Sequence, residues 1–366
     1  MKSQLQSRNK DYRLPIFLTD ATFGVVKALD SKDIENTGIR GIVVNTYHLL
    51  NEPTSKVVEG YGGIKKFMNF EGLVVTDSGG WQIFSLIHRN KKAGKIKEDG
   101  VVFSYGKLKG KLFTPEDCIQ TQFEIGSDII ICLDDFTPPN VSEQKILDTV
   151  ERTVRWAKRC KVKYEELCEK YGYTKENRPL LFAVVQGGDK ISLRKYCINK
   201  LLEIGFDGYG FGGYMIDEDG NLDLEISEKL AALIPDEFFK FALGVGDPAQ
   251  VIKCLEYGWE IFDCTLPTRD ARHKRLYVFN EKINSFDDLK KENFFKYIYL
   301  GKEKYLNSPE KICDFCECYT CQNYSLGYLN YLFRIKSVSA QRLASIHNLH
   351  FYSTIFENYT KNKKQD

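Results

Sequence analysis

Eight short apolar runs are spread unevenly along the chain, and each ends on a polar residue or a glycine. They fall at 15–18 before Thr19-Asp20, 41–44 before Asn45-Thr46, 73–75 before Asp77-Ser78-Gly79-Gly80, and 129–133 before Asp134-Asp135. The remaining four are 181–185 before Gln186-Gly187-Gly188, 208–211 before Gly212-Gly213, 239–243 before Gly244-Val245-Gly246, and 260–262 before Asp263. Near-continuous runs of β-branched and aromatic residues predict strands buried on both faces, as in a parallel sheet. Helical signals lie between them. Thr114 is a cap, Pro115 takes the first helical position, Glu116 and Asp117 follow, and Gly126 stops the helix. A shorter helix over 249–257 is stopped by Gly258. Eight strand–helix units with polar residues at the strands' C-terminal ends predict an α/β fold, a (β/α)8 TIM barrel. A doubly wound sheet is the alternative that periodicity alone leaves open. The uneven spacing requires insertions: a hairpin over 95–113 around Glu98-Asp99-Gly100, and a longer one beginning near Asn280.

Composition narrows the class. Hydrophobic residues make up 43% of 366, enough for a sizeable core and too many for disorder. The apolar runs fall far short of the roughly 20 residues of a membrane span, and the polar N-terminus has no signal-peptide core, so a cytoplasmic location without membrane contact is expected. Charge is nearly balanced, 52 basic against 50 acidic residues, so a nucleic-acid partner has to meet a local patch rather than a field over the whole molecule. Such a patch follows Asp263 in Thr268-Arg269-Asp270-Ala271-Arg272-His273-Lys274-Arg275. A second basic stripe, Arg152, Arg155, Arg159 and Lys163, lies on one face if 143–171 is helical, and reads first as a solvated face.

Of eleven cysteines, seven are scattered, as expected of small apolar residues in a reducing compartment. Cys313, Cys316, Cys318 and Cys321 crowd into nine residues, with His347 further on in what reads as the end of a helix. Thiolates at this density point to a structural zinc ion, held by the four cysteines or by three with His347; an iron–sulfur cluster is the third option. The expected organisation is a barrel over 11–280, a zinc-binding subdomain with a final helical segment over 281–355, and a polar tail over 356–366.

Asp77, Asp134 and Asp263 are expected at the mouths of three different strands. A single aspartate there reads as a cap or turn residue. Three converging acids, with Gln186 and glycine pairs beside them, suit chemistry at an anomeric carbon, where one carboxylate attacks and another moves protons.

The strings themselves carry a resemblance. Thr76-Asp77-Ser78-Gly79-Gly80-Trp81-Gln82-Ile83-Phe84-Ser85-Leu86 strongly resembles a defining motif of the tRNA-guanine transglycosylase family. Asn45-Thr46-Tyr47-His48-Leu49, Val185-Gln186-Gly187-Gly188, Gly244-Val245-Gly246 and Phe262-Asp263-Cys264-Thr265-Leu266-Pro267-Thr268-Arg269 resemble others. The Cys-x-Cys-x2-Cys run followed by Ile346-His347-Asn348-Leu349 completes the series, in the family's order, from about residue 14 to residue 355.

The resemblance implies a zinc-containing barrel that exchanges the wobble guanine of a tRNA anticodon for a free 7-deazaguanine base, and a protein that is usually a homodimer. It implies Asp263 as nucleophile, Asp77 as general acid/base, and Zn2+ on Cys316, Cys318, Cys321 and His347. Ser78, Gly79, Gly80, Asp134, Gln186 and Gly213 would line the base, with Trp81 stacked over it. Gly244, Val245, Gly246, Thr268, Arg269 and Arg272 would meet the RNA. Three departures stand out. Trp81 replaces the usual tyrosine or phenylalanine of bacterial members. Gly213-Tyr214-Met215-Ile216-Asp217-Glu218 replaces a run of smaller side chains, and Asp247 a frequent lysine. The first two border the base pocket, which leaves queuine, its aminomethyl precursor and the nitrile precursor open. Three other functions compete: a non-catalytic partner subunit, a transglycosylase of the same fold acting on DNA, and a barrel hydrolase with a catalytic metal. His48 is the histidine nearest a barrel mouth for the last of these.

Overall fold

The computed structural model describes residues 2–90, 92–104, 108–213 and 222–362. Its centre is a closed barrel of eight parallel strands in sequence order. They are β1 (Ile16–Asp20), β2 (Gly41–Asn45), β3 (Leu73–Asp77), β4 (Ile129–Ile131), β5 (Leu180–Val185), β6 (Gly208–Phe211), β7 (Phe239–Ala242) and β8 (Ile261–Cys264). All eight apolar runs became strands, and the doubly wound alternative falls because β8 pairs with β1, setting Asp263 beside Leu18.

Alternation along each strand divides the core in two. Ile16, Leu18, Val43, Leu73, Val75, Ile129, Ile131, Phe182, Val184, Phe241 and Ile261 fill the barrel. Phe17, Ile42, Val44, Val74, Ile130, Leu181, Ala183, Val185 and Phe262 pack outward against the helices. The barrel floor is closed by a hairpin the polar N-terminus did not advertise, Gln4–Ser7 with Lys10–Arg13, whose Leu5 and Tyr12 join the inner core.

Helix α1 (Gly80–Arg89) follows β3, and α2 (Pro115–Ile125) begins with the expected capping box of Thr114 and Asp117 and ends at Gly126 in a left-handed conformation. Between them lies the expected insertion, an antiparallel sheet of Gly94–Lys97, Gly100–Phe103 and Leu112–Phe113. It is anchored on α3 (Glu143–Lys170), where Trp156 donates to Glu98 O at 2.6 Å. The basic stripe of α3 is spent on neighbouring acids. Arg152 pairs with Asp135 and Glu98, Arg155 with Glu98, Arg159 with Glu116 and Lys163 with Glu166. The stripe thus remains a solvated face, with Arg155 half exposed and its charges paired to neighbouring acids.

After β8 come helix α4 (Leu266–Arg272), an antiparallel pair Arg275–Phe279 with Phe295–Tyr299, the cysteine segment, and α5 (Val338–Asn362). Helix α5 is longer than the sequence suggested. It runs well into 356–366, the stretch expected to be a polar tail, because Phe356 and Tyr359 are buried. Phe356 sits 5.9 Å from Phe17 and 5.5 Å from Phe262, so α5 covers β1 and β8 as the barrel's closing helix. His347 accordingly lies inside this helix rather than at its end.

Candidate active site and metal centre

The inward row that buries apolar residues along the barrel turns polar at its upper end. Ile16 and Leu18 lead to Asp20, Val43 to Asn45, Leu73 and Val75 to Asp77, Phe182 and Val184 to Gln186, and Ile261 to Asp263. One geometric rule thus brings five polar side chains to one end of one cavity.

Asp77 accepts from Asn45 Nδ2 at 3.0 Å, and from the amides of Ser78 and Gly79 at the turn into α1. Burial outweighs these bonds and pushes its carboxyl up to about 6. Asp263 accepts from the Gly244 amide at 2.9 Å, and burial, with the like charges of Asp77 and Asp20, pushes it up to about 7. Raised acids in one cavity are the mark of groups that change protonation near neutral pH.

Asp134 stands beyond β4 and is buried. Its Oδ2 accepts from Gln186 Nε2 at 2.6 Å and its Oδ1 from Ser78 Oγ at 3.4 Å, while Gln186 Oε1 accepts from the Thr137 amide at 3.2 Å. Gly80 passes so close that a Cβ there would collide with Asp134 Oδ1. Burial, helped by Asp77 and Asp135, raises Asp134 to about 7. Trp81, 40% exposed, sits 5.0 Å from Phe136 at a 60° tilt, at the rim rather than in the core. Gly213 lies against this group, where a Cβ would come 3.4 Å from Gln186 Oε1. The loop 214–218, expected to border the base, lies outside the described residues.

The positions expected to meet RNA divide. Gly244 and Arg269 are exposed and Arg272 is half-buried, with its Nη1 lacking a hydrogen-bond partner among the described residues. Val245, Gly246 and Thr268 lie beneath the surface. Val245 is in the core, the Gly246 carbonyl accepts from Tyr352, and Thr268 is inside α4 with its hydroxyl turned to Thr265 O. These three shape the surface without forming it.

Cys316, Cys318, Cys321 and His347 are buried, and their ligand atoms all lie within 4.8 Å of one another; among the described residues no other such group converges. His347 Nδ1 lies 3.6, 3.6 and 3.3 Å from the three sulfurs. Bonds of about 2.3 Å to sulfur and 2.0–2.1 Å to nitrogen at a tetrahedral ion set a sulfur–nitrogen edge of about 3.5 Å, so the cluster has the size of such an ion's shell. The other ring nitrogen lies 2.7 Å from Tyr277 O and donates to it, which leaves Nδ1 to bind metal. Cys313 is buried nearby but is not one of the four, which removes the four-cysteine set.

Sequence reasoning placed Asp20 and Asn45 at strand ends without giving either a role, and it missed Arg194. The first two carry a usable signal, since both extend the inward alternation of their strands by one step. Arg194, on the helix Ile191–Ile204, gave none.

A family model described as "Queuine tRNA-ribosyltransferase" matches residues 2–365. The chain is 35% identical over 345 residues to the queuine tRNA-ribosyltransferase of Methylacidiphilum infernorum, covering 94% of this chain and 86% of that protein. It is 33% identical to the protein of the same name from Buchnera aphidicola, covering 100% and 97%. The Helicobacter pylori protein of that name is 35% identical, covering 94% and 86%. Similarity at this level over nearly the full length, on a barrel whose mouth gathers Asp77, Asp134, Gln186 and Asp263, places the chain in the queuine tRNA-ribosyltransferase family.

Proposed function

We propose that the chain exchanges the wobble guanine of a tRNA anticodon for a 7-deazaguanine base by double displacement at Asp263. The observation that carries this is the meeting of two raised carboxyls, Asp77 and Asp263, with a buried Asp134–Gln186 pair in one barrel mouth. Asp134 and Gln186 accept and donate along the base's hydrogen-bonding edge, and Trp81 covers the ring. Asp263 attacks the ribose anomeric carbon as the bond to guanine breaks, and Asp77 gives the departing base its proton. The incoming base returns a proton to Asp77 as its nitrogen attacks the same carbon and releases Asp263. Two inversions give net retention. Gly244 holds one oxygen of Asp263 through its amide. Arg269 and Arg272 would grip phosphates beside the extruded nucleotide.

Cys316, Cys318, Cys321 and His347 would hold Zn2+ in a structural role, since four protein ligands leave no open position for chemistry. The assay is incorporation of labelled guanine into a tRNA with guanine at the wobble position, against the same tRNA with adenine there. Exchange confined to the first supports the reading, and no exchange into either sinks it. Competition among queuine, 7-aminomethyl-7-deazaguanine and the nitrile precursor then identifies the preferred base.

A further inference from the structure

Arg194 is completely buried, on a helix that contributes none of the groups assigned above. Its fork reaches two different barrel loops. Nη1 donates to Val185 O and Nε to Gly188 O, both at 2.9 Å, on either side of Gln186 and Gly187. Nη2 donates to Gly212 O at 2.9 Å, on the loop that leads to Gly213. The guanidinium also lies 5.1 Å from the centre of the Phe211 ring, at the end of β6. The loop is fitted closely around the arginine. Gly187 has φ of +146°, and a Cβ there would come within 2.6 Å of Arg194 Cγ and 2.7 Å of its backbone nitrogen. A Cβ on Gly213 would stand 3.3 Å from Nη2.

Gln186 and Gly213 come from adjacent strands, β5 and β6, yet a base edge must meet both at once. Barrel pairing runs to Val185 and Phe211, with one further bond from the Gly212 amide to Val185 O at 3.1 Å. Beyond that point each loop has its own freedom, and the fork of Arg194 spans them. Burial lowers the guanidinium to about 10, so it remains charged at neutral pH, and its charge strengthens its bonds to neutral carbonyls. Lysine could not substitute, because a point ammonium cannot address carbonyls from two loops in one plane.

We propose that Arg194 is a positioning residue for base recognition, a clamp that holds the Gln186 loop and the Gly213 loop at the separation a guanine-like edge requires. The inference rests on the reading of this cavity as a base-exchange site. It assigns Arg194 no contact with substrate.

The test is steady-state exchange with the full-length chain carrying R194K, with R194M as a size-matched uncharged second variant should R194K not accumulate folded. The expected result is a KM for guanine raised about 10–100-fold, as for loss of an outer partner that orients a ligand. The KM for tRNA should stay within about threefold, and the preference for guanine over hypoxanthine, which lacks the exocyclic amine, should shrink. In a Gln186→Ala background the same change should have less effect on the guanine KM, because the group being positioned is gone. A base KM and base preference equal to wild type in whichever variant folds, even with a lower melting temperature or fewer active molecules, would overturn the clamp and leave Arg194 a purely structural residue. A wild-type chain that exchanges no guanine would instead sink the functional reading, so the two failures are distinguishable.

Discussion

The backbone amide of Gly244 donates to Asp263 Oδ1 at 2.9 Å, across from β7 to β8, and among the described residues this is the only hydrogen bond the carboxylate accepts. A carboxylate held at one oxygen by one amide is oriented without being neutralised. Asp263→Asn should keep the fold and lower guanine exchange by about 10³-fold or more, as expected when a nucleophile is removed. A protein–RNA adduct that survives denaturing gels should form with the wild-type chain and be absent from the substituted one. Exchange at the wild-type rate would end Asp263's candidacy.

Activity should fall on the acid side of neutrality. Burial raises Asp263 and Asp134 to about 7, so both are ionised above that value and take up protons below it. The logarithm of kcat/KM for tRNA should rise from pH 5 with a slope above one, peak near 7, and fall at higher pH as Asp77, the proton donor raised to about 6, loses its proton. In Asp134→Asn the slope should drop towards one as one of the two ionisations disappears. A flat profile across this range is the contrary outcome.

The same groups cost stability, and the sign follows from their raised values. Between the ordinary carboxyl range near 4 and about 7, the folded chain binds protons that the unfolded chain has released, so stability declines as pH rises through that window. Asp134→Asn should therefore melt higher than wild type at pH 8, by on the order of 2 °C per kcal/mol recovered, and lose that advantage at pH 4. Equal melting temperatures at both pH values would show that Asp134 carries no such penalty.

Metal content and activity should separate along the cysteine series. Cys318→Ser should lose bound zinc and melt lower, while Cys313→Ser should keep one zinc per chain, measured by atomic absorption. The loss of activity in Cys318→Ser should follow the loss of folded protein, since no metal ligand belongs to the barrel mouth. Zinc retained in full by Cys318→Ser would refute the ligand set.

Much of this was legible before the structure. A short apolar run such as 181–185, closed by Gln186-Gly187-Gly188, reads as a doubly covered strand, and Thr114-Pro115-Glu116-Asp117 reads as a helix start. The cysteine spacing by itself left two ligand sets open; the resemblance chose His347 over Cys313, and three-dimensional proximity brings that set together. Arg194 was not legible because a fully buried arginine looks, in sequence, like any surface cation on an amphipathic helix; only its carbonyl partners distinguish it. Thr268 shows the converse, a polar residue within a basic run that the helix turns inward. The N-terminal hairpin was missed because Leu5 and Tyr12 are isolated apolar residues among charged ones, and their burial depends on the barrel floor they cover.

Helix α5 completes the barrel, yet it is the last of the described elements and follows the cysteine cluster. During synthesis from the N-terminus, Phe17 and Phe262 therefore stay uncovered until Phe356 has left the ribosome. His347 lies within that helix, so acquiring the metal and sealing the barrel are steps of one late event. A chain broken off before residue 338 would have eight strands and an open seam, a substrate for proteases rather than a weakened enzyme.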